Sequence, residues 1–252
     1  MNQESPVAIV TGSTSGIGKA IAVRLIREGY RVILNYSHDD QRAASALKEA
    51  RHAGGDCLLV KADIGRSGEA ANLIDQAIEA FGRIDVVVNN AAHVADARVL
   101  DMTEAEWDSV LDVNLKGAFL VAQAAARQML SQNSGGTIVN IGASTGIRGR
   151  RNGVNTCASK AGLMVMTQCL ALELAPKIRV NTIIPGLVIT DETQERFGLD
   201  DQDVRRQREA AVPLARLGRP DDVADAVMLA ISAEARFITG QKIIVDGGQN
   251  MW

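Results

Sequence analysis

Short apolar runs alternate with longer stretches of helical periodicity from one end of the chain to the other. Seven of these runs are nearly continuous and rich in β-branched residues, which is typical of strands buried on both faces of a sheet. They span residues 7–11, 31–36, 57–62, 84–89, 137–142, 178–184 and 241–245, and helical periods fill residues 18–27, 40–53, 67–81, 107–130 and 158–175. The alternation predicts an α/β fold, a three-layer sandwich with a doubly wound, seven-stranded parallel sheet between two layers of helices.

No linker, charge block or internal repeat divides the chain, so we expect one domain over residues 1–252. Residues 187–213 depart from the regular alternation, because they are rich in charge and have no clear period. This segment predicts a substrate-side lid or an inserted pair of helices. In doubly wound sheets, ligands bind beyond the carboxyl ends of the strands, so the candidate site is expected in the residues that follow each strand.

Composition and charge narrow the function classes. The formal net charge of −3 argues against a general nucleic-acid surface. The three cysteines form neither a CxxC pair nor a cluster with histidine, so we expect no metal site and no disulfide framework. The chain also lacks a basic leader and any apolar stretch of about 18 residues. We therefore expect a cytoplasmic protein that does not enter a membrane.

A glycine-rich loop follows the first strand and precedes the first helix. Glycine has a physical role at three of its positions: Gly12 permits a tight turn, Gly16 lets the backbone approach a diphosphate, and Gly18 lets the helix pack closely on the sheet. The helix N-terminus would then present free N–H groups to the anion. An ordinary strand-to-helix turn is the alternative, but the position after strand one favours a dinucleotide-binding site of Rossmann type.

This loop resembles the TGxxxGxG element of the short-chain dehydrogenase/reductase family, whose members are nicotinamide-dependent oxidoreductases of this length and architecture. Further matches follow in the same order, including an NNAG-like element at residues 89–92 and the segments 218–220 and 245–248 that resemble the 3-oxoacyl-acyl-carrier-protein-reductase-like branch. The resemblance implies an NAD(P)-binding fold over the whole chain. It implies cofactor contacts at Gly12, Ser15, Gly16, Ile17, Gly18, Ser37, Asp63, Ile64, Asn90, Ala91, Lys160, Pro185, Gly186 and Thr190.

The end of the second strand bears on the choice between the two nicotinamide cofactors. A carboxylate there binds the 2′-hydroxyl of NAD and repels the 2′-phosphate of NADP. The tip of this strand carries no acid, and Ser37 and His38 can accept a phosphate, so NADP(H) is favoured. Asp39 and Asp40 follow directly, and the tip carries no Arg or Lys, so NAD(H) stays the alternative.

The family's usual proton donor is missing. Family members carry a tyrosine four residues before the active-site lysine, and that lysine corresponds to Lys160. The tyrosine position is Thr156 here, and the only two tyrosines, Tyr30 and Tyr36, lie far away in the chain. An aliphatic alcohol is far too weak an acid to replace a phenol. Thr156 is therefore expected to orient a substrate rather than protonate it.

A second family position is also replaced. Ala143 stands where the resemblance places a substrate-orienting serine, and Ser144, one residue later, either substitutes for it or is an ordinary loop serine. Asn114 and Lys160 match the two remaining catalytic positions. Both can also serve structure or cofactor: Asn114 by holding a helix distortion or a water, and Lys160 by binding the nicotinamide ribose. The catalytic candidates are therefore Asn114, Lys160, Ser144 and Thr156.

Three basic side chains are candidates for contact with the substrate. His93 directly follows the NNAG-like element, where an imidazole is either a proton donor to the substrate or a surface side chain. Arg148 and Arg150 lie in the loop after the fifth strand, where they would meet a carboxylate, a phosphate or a carrier-protein face, or would simply be solvated.

These features predict an atypical NAD(P)-dependent oxidoreductase that transfers hydride to or from a small carbonyl, enone or imine-type substrate without the usual tyrosine. The alternative is a catalytically weak, cofactor-binding subunit that regulates an active homologous partner. Resemblance to the family also implies a homo-oligomer, either a dimer or a tetramer.

Overall fold

A computed structural model of the protein describes residues 5–251, and its strands form one parallel sheet. The strands are β1 Val7–Val10, β2 Arg31–Tyr36, β3 Cys57–Lys61, β4 Val86–Asn89, β5 Gly136–Ile141, β6 Ile178–Pro185 and β7 Lys242–Val245. Their order in the sheet is β3-β2-β1-β4-β5-β6-β7, so the chain reverses its winding direction between β1 and β4. The predicted doubly wound, seven-stranded sheet is confirmed. Residues 1–4 and 252 of the expected domain lie outside the described residues.

Helices cover both faces of this sheet. They are α1 Gly16–Arg27, α2 Asp40–His52, α3 Glu69–Phe81, α4 Glu104–Leu111, α5 Ala118–Ser131, α6 Thr145–Arg148, α7 Val154–Leu174, α8 Asp191–Phe197, α9 Gln202–Ala210 and α10 Pro220–Ile231. Strand β1 is apolar throughout because both of its faces are covered. Ala8 packs with α1 and α10 on one face, and Ile9 packs with α3 and α5 on the other. All four residues of β1 are fully buried. This arrangement is the predicted three-layer sandwich.

The structure differs from the sequence prediction in the segment 107–130, which is not one continuous helix. A π-helical turn, Asp112–Gly117, separates α4 from α5. Within this turn the Asn114 side chain binds the backbone of His93. Gly117 leaves no room for a side chain, because a Cβ atom there would lie 2.8 Å from the carbonyl oxygen of Ile64. Apolar periodicity does not reveal one extra residue per turn, so the distortion could not be read from the pattern.

Helix α7 begins at Val154, four residues before the start that the periodicity predicts. Thr156 therefore lies in the first helical turn, on the same side of the helix as Lys160. The segment 187–213 contains the two helices α8 and α9. An inserted pair of helices was one of the two structures that the sequence predicts for it. A small apolar cluster around Leu199, Val212 and Leu217 packs beneath this pair. No helix within residues 5–251 is both long enough and apolar enough to cross a membrane.

Candidate active site

The glycine loop after β1 is packed too tightly for side chains at two of its glycines. A Cβ atom on Gly12 would lie 2.8 Å from the Cα atom of Ala91, and Gly12 also has a left-handed φ of 60°. On Gly18, a Cβ atom would lie 2.3 Å from the carbonyl oxygen of Gly12 and 2.4 Å from Nδ2 of Asn90. These contacts support the roles that the sequence predicts for both glycines.

The N-terminus of α1 is open toward an anion. Ser15 is its N-cap residue, but the Ser15 side chain makes no capping hydrogen bond, and the first turn contains no acidic residue. The first backbone N–H groups of a helix have no intrahelical acceptor. They are therefore available to the negatively charged diphosphate of a dinucleotide, together with the positive end of the helix dipole. The cradle formed by this loop and helix fits that group.

Hydrogen bonds connect the glycine loop to the end of β4. The hydroxyl of Thr11 accepts the backbone N–H groups of Asn90 and Ala91, each at 3.0 Å. In return, Nδ2 of Asn90 donates to the carbonyl oxygens of Thr11 and Gly12, also at 3.0 Å. Asn90 and Ala91, both predicted to contact the cofactor, thus hold the shape of the loop that would bind it.

One residue that supports this loop was missed by the sequence analysis. Asn35, at the end of β2, is 2% exposed. Its Oδ1 accepts the backbone N–H of Gly12 at 3.2 Å, and its Nδ2 donates to the carbonyl oxygen of Ala62 at 3.0 Å. Asn35 therefore ties the glycine loop to the segment that leads into Asp63. A polar residue inside a buried strand was the signal that could have identified it.

The tip of β2 meets two cations that come from other segments. Lys61 lies directly beside Tyr36 in the β2–β3 register, with its Nζ 5.7 Å above the Tyr36 ring and 2.9 Å from the Asp40 carboxylate. Arg42 lies 3.2 Å from the Asp39 carboxylate. The hydrogen bond from Lys61 is the main reason why the pKa of Asp40 is lowered. The tip itself carries no basic group in the sequence, because these two cations come from β3 and α2.

Lys160 is buried beneath the cleft. Its side chain extends from α7, is 6% exposed, and donates from Nζ to the carbonyl oxygen of Ile141 at 2.8 Å. Burial lowers the pKa of Lys160 to about 8, because the ammonium group loses its hydration. One backbone carbonyl satisfies only one of its three N–H donors. Lys160 thus keeps donors for a further partner such as a ribose hydroxyl.

Thr156 lies one helical turn before Lys160 and is 7% exposed, and its hydroxyl has no hydrogen-bond partner among residues 5–251. Asn155, which the sequence analysis did not single out, fixes this turn. Its Oδ1 accepts the N–H of Thr156 at 2.7 Å, and its Nδ2 donates to the carbonyl oxygen of Ala95 at 2.7 Å. The unpartnered hydroxyl is available to orient a ligand.

Asn114, in the π-helical turn, uses its side chain to position the loop after β4. Its Oδ1 accepts the N–H of His93 at 2.7 Å, while its Nδ2 donates to the carbonyl oxygen of His93 at 3.0 Å and to the Ser159 hydroxyl at 3.2 Å. Asn114 thus connects the π-helical turn to the loop after β4 and to α7. The His93 side chain is exposed, whereas its backbone N–H and carbonyl groups both bind the Asn114 side chain.

The remaining predicted residues surround the same end of the sheet. Ser144 is buried at the start of α6, and its side chain makes no capping bond there. The hydroxyl of Thr190 accepts the N–H of Thr193 at the start of α8, and Thr190 also lies against Gly16. Arg148 ends α6, whereas Arg150 is bound to Asp96. The others lie at strand ends or in the first turn of α1: Ile17, Ser37, Asp63, Ile64, Pro185 and Gly186.

Known proteins resemble the chain over nearly its full length. A family model described as enoyl-(acyl carrier protein) reductase matches residues 12–250. Over 245 residues the chain is 39% identical to the 3-oxoacyl-[acyl-carrier-protein] reductase FabG of Staphylococcus aureus strain Mu50, covering 97% of this chain and 98% of that relative. The FabG protein of Staphylococcus epidermidis strain RP62A is 38% identical with the same coverage. A crystal structure of a candidate short-chain alcohol dehydrogenase from Sinorhizobium meliloti 1021 has a TM-score of 0.91 and 34% identity, covering 98% of this chain and 97% of that chain.

Proposed function

The chain belongs to the short-chain dehydrogenase/reductase family, in its FabG-like branch, and on that premise we propose that it is an atypical NADP(H)-dependent oxidoreductase. It transfers hydride to or from a small carbonyl, enone or imine-type substrate without a tyrosine acid. One observation carries this proposal: Lys160 is retained and buried beneath the cleft, while the position one turn earlier holds a threonine whose hydroxyl is unpartnered.

The residues divide into those that bind the cofactor and those that face the substrate. The glycine loop and the N-terminus of α1 would hold the diphosphate, and the free donors of Lys160 would hold the nicotinamide ribose. When bound, the reduced cofactor supplies the hydride. Asn114 keeps the backbone of His93 in place at the edge of the cleft, and Thr156 and Ser144 orient the substrate. The lid 187–213 closes the substrate side of this single domain.

The absence of the phenol favours substrates whose product needs no proton at the reacting atom. Hydride addition to an iminium carbon converts the C=N⁺ bond into a neutral amine, so no proton has to be delivered in that step. Hydride addition to a ketone instead produces an alkoxide, which needs an acid of suitable pKa nearby. Thr156 is not such an acid. Protonated imines are therefore the substrate class that this site suits best, and ketones depend on water or on His93 for their proton.

We expect purified protein with NADPH to reduce the cyclic imine 1-pyrroline at least about a hundredfold faster than cyclopentanone, because positioned acid catalysis contributes about 10²–10⁴-fold to a ketone reduction. The measurement is NADPH oxidation in single-turnover and steady-state assays, with cyclopentenone as the enone in the same series. Saturable cofactor binding without hydride transfer to any of the three compounds would contradict the proposal. That outcome would favour the alternative, a cofactor-binding subunit of an active homologous partner.

The preference for NADP(H) is supported by the two cations beside the β2 tip. Lys61 and Arg42 lie beside the tip of β2, where Rossmann-type folds distinguish the 2′ groups of the two cofactors. Each forms an ion pair with an aspartate, Asp40 or Asp39. Rearrangement of either ion pair would free a cation for the phosphate. These pairs are exposed, so breaking one costs little free energy.

We expect Lys61→Met to weaken NADPH binding about tenfold and to leave NADH binding unchanged, because only NADPH carries the additional phosphate charge. Lys48→Met is the matched control, since Lys48 is exposed on α2 and forms no ion pair among the described residues. Dissociation constants from calorimetric titration provide the readout. Equal weakening for both cofactors would show that Lys61 supports the fold of the β2 tip rather than the phosphate.

A cytoplasmic homo-oligomer completes the proposal. Exposed apolar side chains on two neighbouring helices support an interface, with Phe119 on α5 and Val165 and Leu172 on α7. A second group, Leu229 and Phe237, lies near the C-terminal strand. The mass of the protein in solution distinguishes the dimer from the tetramer.

A further inference from the structure

Two arginines that are far apart in the sequence bind the same carboxylate. Arg150, in the loop before α7, donates two hydrogen bonds to Asp96, from Nη1 to Oδ2 at 2.6 Å and from Nη2 to Oδ1 at 2.5 Å. Arg196, on the lid helix α8, also binds Oδ2 of Asp96. The side chains of Arg150, Asp96 and Arg196 are 22%, 24% and 25% exposed. We call Arg150 and Arg196 the arginine pair.

The arginine pair lies on the substrate side of the site. Asp96 follows Ala95, whose carbonyl oxygen accepts Nδ2 of Asn155 at 2.7 Å, next to Thr156 in the first turn of α7. Arg150 lies on the backbone just before the same turn, because a Cβ atom on Gly153 would be 2.4 Å from its Cζ atom. Arg196 comes from the lid. The ion pairs with Asp96 therefore connect the loop after β4, the loop before α7 and the helix α8.

Arg148 and Arg151, near the arginine pair, give this region an excess of positive charge. Two guanidinium groups face one Asp96 carboxylate, and the second acid near Arg196 is Glu192, which lies 3.5 Å away and is 66% exposed. Arg148, the last residue of α6, and Arg151, next to Arg150, are exposed and make no ion pair with any residue in the described range 5–251. Burial disfavours the charged Asp96 carboxylate, but the hydrogen bonds and charges of Arg150 and Arg196 outweigh it and hold the pKa of Asp96 below its usual value.

We propose that the arginine pair recognises a carboxylate of the substrate, and that Asp96 occupies this site as an internal ligand until that substrate binds. Arg150 binds Asp96 through a bidentate pair of hydrogen bonds, which is the usual geometry between a guanidinium group and a carboxylate. Asp96 shows where the oxygens of the incoming group lie. This inference rests on the proposed hydride-transfer function and adds a substrate class to it, a small imine or carbonyl compound that bears a carboxylate.

Replacement of Asp96 by a substrate carboxylate costs little in electrostatic terms. The arginine pair keeps one carboxylate partner throughout the exchange, so no guanidinium is left unpaired. Asp96 lies in an irregular segment after β4 and can move its carboxylate into water. A purely structural role is the competing explanation, in which Asp96 only holds the lid helix α8 against the domain. The two explanations predict opposite effects when the Asp96 charge is removed.

The test measures binding to the protein saturated with oxidised cofactor, by calorimetric titration with two matched pairs of compounds. One pair is 1-pyrroline-2-carboxylate and 1-pyrroline, and the other is acetoacetate and methyl acetoacetate. We expect each acid to bind at least about tenfold more tightly than its uncharged match, and Arg150→Gln or Arg196→Gln to remove that difference while the uncharged compounds bind as before. Asp101→Asn is the matched control for the Asp96 variant described next. Asp101 lies five positions after Asp96 in the chain, is 67% exposed and is 3.8 Å from Arg98.

Asp96→Asn separates the two explanations. Under the proposal it tightens acid binding about fivefold and leaves the uncharged compounds unchanged, because the internal competitor has lost its charge. Weaker binding of charged and uncharged compounds alike would overturn the proposal and leave Asp96 as a lid contact. Equal affinity of the wild-type protein for acids and their matches would overturn it as well. Failure of the hydride-transfer function is seen separately, as bound compound without NADPH oxidation in the wild-type protein.

Discussion

The double substitution Thr156→Tyr and Ala143→Ser is expected to give the protein ketone reduction that is at least about a hundredfold faster than that of the natural chain. The phenol of a tyrosine has a pKa near 10, and a neighbouring ammonium group lowers it. Lys160 provides that ammonium group one turn further along α7, with N–H donors beyond the one bound to Ile141. The serine would orient the carbonyl. The measurement is kcat/KM for cyclopentanone with NADPH.

The matched control replaces the phenol by a ring without the hydroxyl, as Thr156→Phe with Ala143→Ser. It introduces the same bulk at a position that is only 7% exposed, so any effect of crowding appears equally in both double variants. Cofactor affinity and the midpoint of thermal unfolding show whether each variant keeps the fold. The tyrosine variant can keep its cofactor affinity and thermal midpoint and still gain no ketone reduction. In that case either the register from residue 155 to residue 160 or the role assigned to the missing phenol is wrong.

The same variant should leave imine reduction nearly unchanged. An iminium carbon needs no proton in the hydride step, so a new acid has nothing to accelerate there. The ratio of ketone to imine turnover therefore isolates proton delivery from hydride delivery. A parallel rise for both substrate classes would mean that the substitutions improve binding or orientation instead.

The fold could be predicted from the sequence because burial on both faces of a parallel strand leaves a simple signature. Val7–Val10 is apolar throughout since each side chain meets helices on one face or the other. The glycines of the first loop were equally readable, because a side chain at Gly12 or Gly18 would collide with the backbone. Both features could be predicted because they depend on residues close together in the sequence and on the parallel sheet that the apolar runs predict.

Features that depend on partners distant in the sequence could not be predicted. The π-helical turn is held by a contact between Asn114 and His93, and Lys61 reaches the β2 tip only through the register of β3. Arg150 was a candidate from sequence, but its partner Asp96 is 54 positions away, and Arg196 is 100 positions from Asp96. Only the folded chain shows that these three charges meet. Sequence reasoning therefore located the site better than it described the contacts within it.

Gly18→Ala is expected to weaken cofactor binding about a hundredfold, as overpacking of a close contact costs about 3 kcal/mol. The new Cβ atom would lie 2.3 Å from the carbonyl oxygen of Gly12 and 2.4 Å from Nδ2 of Asn90. Neither group can retreat freely, because Nδ2 of Asn90 is bonded to the carbonyl oxygens of Thr11 and Gly12. The loop itself must move, and the diphosphate cradle moves with it.

The expected loss is informative because alanine is otherwise favourable at this position. Gly18 lies in the first turn of α1, and alanine has a higher helix propensity than glycine, by up to about 1 kcal/mol in a helix interior. Gly162→Ala in α7 is the matched control, since its Cβ atom would meet only the flexible end of the Leu115 side chain, at 2.9 Å. Calorimetric titration with NADPH and NADH should show the same loss for both cofactors, because the diphosphate is common to them. If Gly18→Ala binds either cofactor within about threefold of the wild-type protein, the contact between Gly18, Gly12 and Asn90 does not set the shape of the cradle.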